Sequence, residues 1–262
     1  HVSGDITING VWNDQNSTLN SAGDAAQVIN GTGYLRVQSW AITNAAGVTI
    51  DGLGVILYGN LGVSNGAILH TNGKLSLWSD INGTAEIQSL TAGSIDGEVN
   101  VRRYRPAATA GWVNLTSSLQ DATIEEWDAT ILTTGFTGSD NPAYSFNSVV
   151  YYDETVAGAD EDGYVEAENS SDLLVPGRGY MVYMPTGAYT VVARGPINSG
   201  TINLNPTYTD NGSGAGWNLV GNPYPATIDW DAEDWTKTNM NNAVYIWRSN
   251  INQYATYING IS

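Results

Sequence analysis

Cysteine is absent from the 262 residues, so neither disulfides nor thiolate chemistry contributes. Histidine occurs only at His1 and His70. A Cys–His dyad is therefore excluded, a Ser–His–Asp triad would have to use His70, and nitrogen ligands are too few for a zinc centre. No Walker or G-x-G-x-x-G phosphate loop is present. Charged residues make up only 13% of the chain, and 9 bases face 26 acids, giving a net charge of −17 and a pI near 4.1. Such a surface repels nucleic acid and anionic lipid, which argues against both as partners. No apolar run is long enough to span a bilayer, so membrane insertion is not expected. These absences argue against an enzyme. The paired carboxylates Glu125–Glu126 and Asp229/Asp231 are the one glycosidase-like feature, and 26 acids produce such pairs by chance.

Glycine, asparagine, threonine and serine fill the space, with 9 Trp and 15 Tyr against 2 Phe. That mixture suits short strands and tight turns, and the fold class expected is all-β. Over residues 1–100, phrases such as "VTIDG" (Val48–Gly52), "VILYGNLGV" (Val55–Val63) and "AILHTNGKLSLW" (Ala67–Trp78) alternate apolar and small polar residues. Asn-Gly or Asp-Gly pairs separate them, at Asn30, Asp51, Asn65, Asn72 and Asn82 among others. The spacing predicts a strand-repeat region, either a short β-solenoid or a meander. After "EVNVRRYRPAATAG" the strands lengthen and aromatics become denser, so a boundary is placed near residue 101. Residues 101–262 are read as a β-sandwich or jelly-roll-like region.

That second region repeats itself. "GWVNLTSSLQDATIEEWD" begins at Gly111 and "GWNLVGNPYPATIDWD" at Gly216; "SVVYYDE" (Ser148–Glu154) is echoed by "NAVYIWR" (Asn242–Arg248). The copies cover about 111–184 and 216–262, and the second is expected to be incomplete, with no counterpart of "PGRGYMVYM". One reading is a boundary of the ordered chain. The other is a missing strand supplied by a neighbouring molecule, building an open fibre. The phrases "GWNLVGNPYPATIDWD", "AVYIW" and "PGRGYMVY", following "NVRRYRPA", resemble exported surface proteins of the Bacteroidetes secreted by the type IX system. The resemblance implies export, surface attachment and a β-rich module, and it carries over no catalytic residues. His1 in place of Met agrees with a cleaved signal peptide and an extracellular or cell-surface location.

Three sets of candidate residues follow. Asp160, Asp162 and Glu166 lie in an acidic run with Gly163, and a loop of oxygen ligands there would suit calcium, the one cofactor suggested. Trp127, Trp230 and Trp235 would offer sugar-stacking faces if exposed, and would pack the core if not. Asn242, Val244 and Ile246, with Arg102 and Arg103, would form a subunit interface. The expected function is a non-enzymatic structural or adhesive surface protein, forming a homo-oligomer or fibre. The rival is a carbohydrate-binding module of a secreted enzyme, with surface glycans as partners.

Overall fold

The computed structural model describes residues 1–262 except 89, 91, 211–214, 234, 249–250, 252, 259 and 261–262. The chain is all-β, and its N-terminal region is a β-solenoid. The first coil carries β1 (Ile6–Thr7) and β2 (Val11–Ser21), and the second β3 (Gln27–Asn30) and β4 (Tyr34–Ile42). The third holds β5 (Val48–Asp51), β6 (Gly54–Leu57) and β7 (Asn60–Val63). The fourth holds β8 (Ile68–His70) and β9 (Leu75–Leu77), a small hairpin of β10 (Ser79–Asp80) and β11 (Gly83–Thr84), and then β12 (Glu86–Ile87). The fifth begins with β13 (Ser94–Asp96) and leaves through β14 (Val99–Ala108).

Parallel pairing in register stacks like on like. Leu35, Val55, Leu75 and Val99 form one column, and Val37, Leu57, Leu77 and Val101 the next. Trp40, Leu61 and Ile87 form a third. Of these eleven residues none is more than 5% exposed. Twenty residues separate Leu35 from Val55 and Val55 from Leu75, whereas 24 separate Leu75 from Val99, the extra length being taken up by the β10–β11 hairpin. Each coil is about 4.8 Å from the next, the ladder spacing, so an inward side chain within a column is sandwiched between two others of that column. The Asn-Gly pairs turn coil corners. Asn65 and Asn72 have φ of 59° and 46°, and their amides donate to Thr43 O and Ile50 O one coil below.

β14 changes the architecture. Its first residues run parallel to β9, while the whole strand pairs antiparallel with a later strand, Gly187–Gly195, which thereby closes that end of the sheet. Residue 101, where the sequence suggests a boundary, lies inside β14. Between the two partners is a four-stranded antiparallel sheet. Its members are β15 (Gly111–Leu115), then β16 (Val149–Tyr152), β17 (Tyr164–Glu166) and β18 (Tyr180–Met184), in the order β15-β18-β16-β17. The short helix α1 (Ile124–Asp128) lies between β15 and β16 in sequence and buries Trp127 against Tyr180, ring centroids 5.6 Å apart. The partner of β14 is β19 (Gly187–Gly195), and the final hairpin pairs β20 (Ala243–Arg248) with β21 (Gln253–Ile258). Among the described residues no helix is long and apolar enough to cross a membrane.

Candidate functional site

The two copies of the repeated phrase are built differently. In the first, Gly111–Leu115 is β15, paired along its length with β18. In the second, Gly216–Val220 is not a strand; its one ladder contact is a bridge from Val220 to Arg178. That bridge seats the phrase on the "PGRG" turn of the first copy. Gly179 N donates to Leu219 O and Gly221 N donates to Gly177 O. The approach requires glycine on both sides. A Cβ at Gly179 would lie 2.7 Å from Leu219 Cγ, and one at Gly221 would fall inside the Thr116 side chain.

Beyond it, "NPYPAT" acts as a clasp. Asn222 closes its own bend, accepting from Tyr224 N and donating to Ala226 O. Pro223 O accepts from Asn198 Nδ2, and Pro225 O accepts from Ile87 N of the solenoid. Thr227 Oγ1 donates to Glu86. Glu154, 3% exposed, holds the preceding segment by accepting from Thr209 N, Thr209 Oγ1 and Gly216 N; hydrogen bonding, first from the Thr207 side chain and then from these groups, lowers its carboxyl below the usual value.

What the second copy does not bury is equally informative. Among the described residues after Ile197, no aliphatic or aromatic side chain is buried, although Pro223 and Pro225 are. In the first copy β16 is flanked by β18 and β17, and Val149, Val182 and Met184 are at most 1% exposed. In the second, β20 and β21 repeat the β16–β17 pairing, yet among the described residues nothing pairs with the other edge of β20. Ile246 is 59% exposed; Tyr245 is covered on one side by Trp217, ring centroids 4.8 Å apart.

The sequence-derived candidates are scattered across this frame. Val244 and Ile246 share one face of β20, and Asn242 O, just before it, accepts from Trp230 Nε1. Arg102 stacks on Trp78, 3.9 Å from the ring centre, while Arg103 faces the opposite way toward a cavity. Trp127 is 2% exposed in the core. Trp230 and Trp235 meet 5.2 Å apart with planes inclined by 52°, and their indole N–H groups donate to Asn242 O and Asp229 O. Asp160 and Asp162 fall in a 3-10 turn (Asp160–Gly163), where Asp162 accepts from Ala159 N; Glu166 is on β17. Among the described residues no group of three or more acidic or histidine side chains is arranged to hold a metal.

Two features escaped the reading of the sequence. Asp96 accepts or shares a proton with His70 Nδ1 at 2.8 Å from one coil away, a neighbour 26 residues off in sequence. The pair is exposed on the solenoid face, with side chains 41% and 70% accessible. The letters Gly62–Gly66, "GVSNG", also match the G-x-S-x-G pattern. Here they turn from strand β7 toward strand β8, not into a helix, so no nucleophile elbow forms. No protein-family model, curated protein or solved structure matches this chain.

Proposed function

We propose that this protein is a non-enzymatic, extracellular structural or adhesive surface protein, and that the second repeat copy receives a β-strand from a neighbouring molecule of the same kind. One observation carries the reading: among the described residues β16 has a strand on each side, whereas β20, its counterpart, has β21 alone. An unpaired edge beside exposed apolar side chains is a template for strand addition. The first copy supplies the chemistry of the incoming strand. β18 presents Tyr180, Val182 and Met184 on one face, all at most 3% exposed, and runs antiparallel to β15 and β16. Exchange of this kind between identical subunits is head-to-tail and produces an open fibre. The resemblance of "GWNLVGNPYPATIDWD" to exported Bacteroidetes surface modules supports the surface location.

Sedimentation velocity over a range of concentrations tests the reading. The wild-type protein is expected to form concentration-dependent assemblies. Val244→Lys with Ile246→Lys, at half-buried and exposed positions of β20, should leave the melting temperature nearly unchanged and shift the population to monomer. A wild-type protein that is monomeric at every concentration would overturn it.

A further inference from the structure

A cavity of about 440 Å³ lies where the solenoid, the four-stranded sheet and the second repeat phrase meet. Its volume is in the range of small-ligand sites, roughly 300–1,000 Å³. One wall is the β14–β19 ladder, where Val101 pairs with Ala193 and Arg103 with Val191, and all four line the space. Glu86 and Ser118 line it from other elements, and Tyr224 borders it from the repeat phrase.

Arg103 is the basic residue of the cavity lining. The ion pairs among the described residues are His70–Asp96 and Arg194–Glu98, so Arg103 has no carboxylate in contact. Its Nη1 donates to the carbonyl of Arg102, at 2.9 Å. Burial pushes its pKa down, and the more distant charge of Glu86 only partly offsets this. The neighbouring arginines are accommodated differently: Arg102 by Trp78, and Arg105 by the carbonyls of Gly187 and Thr109. Among the described residues only Arg194 of the Lys and Arg side chains has a carboxylate in contact, so what distinguishes Arg103 is its place on the cavity wall. Its planar fork of donors matches a carboxylate in two parallel bonds.

Glu86 restricts what that carboxylate belongs to. Its Oε1 accepts from Thr227, and the rest of its capacity faces a space that Ser118 and Arg103 share. A second carboxylate beside it would be repelled, whereas a hydroxyl would be bound. We propose that the cavity binds a small acidic saccharide, with a uronate carboxylate on Arg103 and sugar hydroxyls on Glu86 and Ser118. This site stands within one chain and does not depend on strand completion.

Calorimetric titration of the monomeric fraction tests it, with galacturonate and its dimer as probes, galactose as the neutral sugar and acetate as the bare anion. The uronates are expected to bind, galactose about tenfold more weakly, and acetate without measurable heat. Arg103→Gln should weaken uronate binding about tenfold and leave galactose unchanged, while Glu86→Gln should weaken galactose, and uronate less, because the repulsion of the uronate carboxylate is relieved. Arg103→Lys keeps the charge without the fork and should fall between wild type and Arg103→Gln; it also serves if the glutamine variant does not fold. No uronate binding to folded wild-type protein, acetate binding as tight as uronate, or full uronate affinity in both Arg103 variants would overturn the assignment.

Discussion

Replacing Leu57 with alanine removes a side chain that is 0% exposed and stacked by register between Val37 and Leu77. Three buried carbons are lost, a transfer contribution of about 2.4 kcal/mol at ~0.8 kcal/mol per methylene. The space left behind adds to this, because the coils above and below are held by their own ladders and collapse only in part. Leu→Ala changes of this kind cost about 2–5 kcal/mol, and the rigid stack places this one near 3–4 kcal/mol. Ile56 is the internal control. It is one residue away on the same strand, half-buried, and on the outward face. Its replacement by alanine should cost under about 1 kcal/mol, since only a fraction of its surface leaves water on folding. Urea unfolding followed by circular dichroism reads the difference between the variants. Coincident transitions by tryptophan fluorescence would show whether the solenoid unfolds with the rest. Equal costs for the two variants, or the larger cost at Ile56, would refute the register, because a slip of one residue exchanges the inner and outer faces.

Further outcomes follow from the clasp and its carboxylates. Gly221→Ala should destabilise by about 1–3 kcal/mol, since the added methyl meets the Thr116 side chain in a packed approach; a thermal melt equal to wild type would contradict that contact. The carboxyl of Glu154 is held below its usual value by the hydroxyls and N–H groups it accepts from, so its contribution is present above the unfolded carboxylate pKa and is lost as pH falls through the folded one. Acidification below about pH 4.5 should therefore release the segment before Trp217, seen as a change in tryptophan emission that Glu154→Gln shows already at neutral pH. Glu126 has the opposite sign: burial raises its pKa, only partly offset by backbone N–H groups of Thr123 and Arg194, and its Oε2 is buried with no hydrogen-bond partner among the described residues, so it disfavours the fold while ionised. Glu126→Gln should raise the melting temperature at pH 7, and the gain should shrink as pH falls through the folded pKa and wild-type Glu126 takes up its proton.

The solenoid was legible because its signal is local. Alternation in "VTIDG" and "VILYGNLGV", with Asn-Gly and Asp-Gly corners, marks this part of the coil as strand, although the phrase Val55–Val63 is two strands, β6 and β7, with a corner at Tyr58–Gly59 between them. Other elements depend on partners far away in sequence. The polar stretch "NDQNST" within β2 shows no apolar alternation; β4 pairs with it at Asn13, Asp14 and Thr18, and the register shifts between Asp14 and Thr18. Asp96 reaches His70 only because one coil returns the chain to the same place. Residues 200–209, "GTINLNPTYT", carry strand-like alternation but form no strand, since side chains satisfy their backbone. Tyr224 Oη accepts from Ile202 N, Asn218 Oδ1 from Thr207 N, and Glu154 from Thr209 N. After Asp229 the chain makes turns in which Asp229 accepts from Asp231 N, whereas the first copy forms α1 at the matching place. The difference is burial: Trp127 has Tyr180 of a completed sheet to pack on, and Trp230 has Trp235 and the ammonium of Lys237, 4.2 Å above its ring.

The central claim concerns one strand edge, and hydrogen exchange reads it at the amides themselves. Exchange of Ala243–Arg248 should be compared between dilute monomer and concentrated, assembled protein. If a neighbour's strand pairs with β20, the amides on its free edge become protected on assembly while those bonded to β21 change little. If assembled protein exchanges these amides as fast as the monomer does, or if no assembly forms, β20 is not the acceptor and strand completion is wrong.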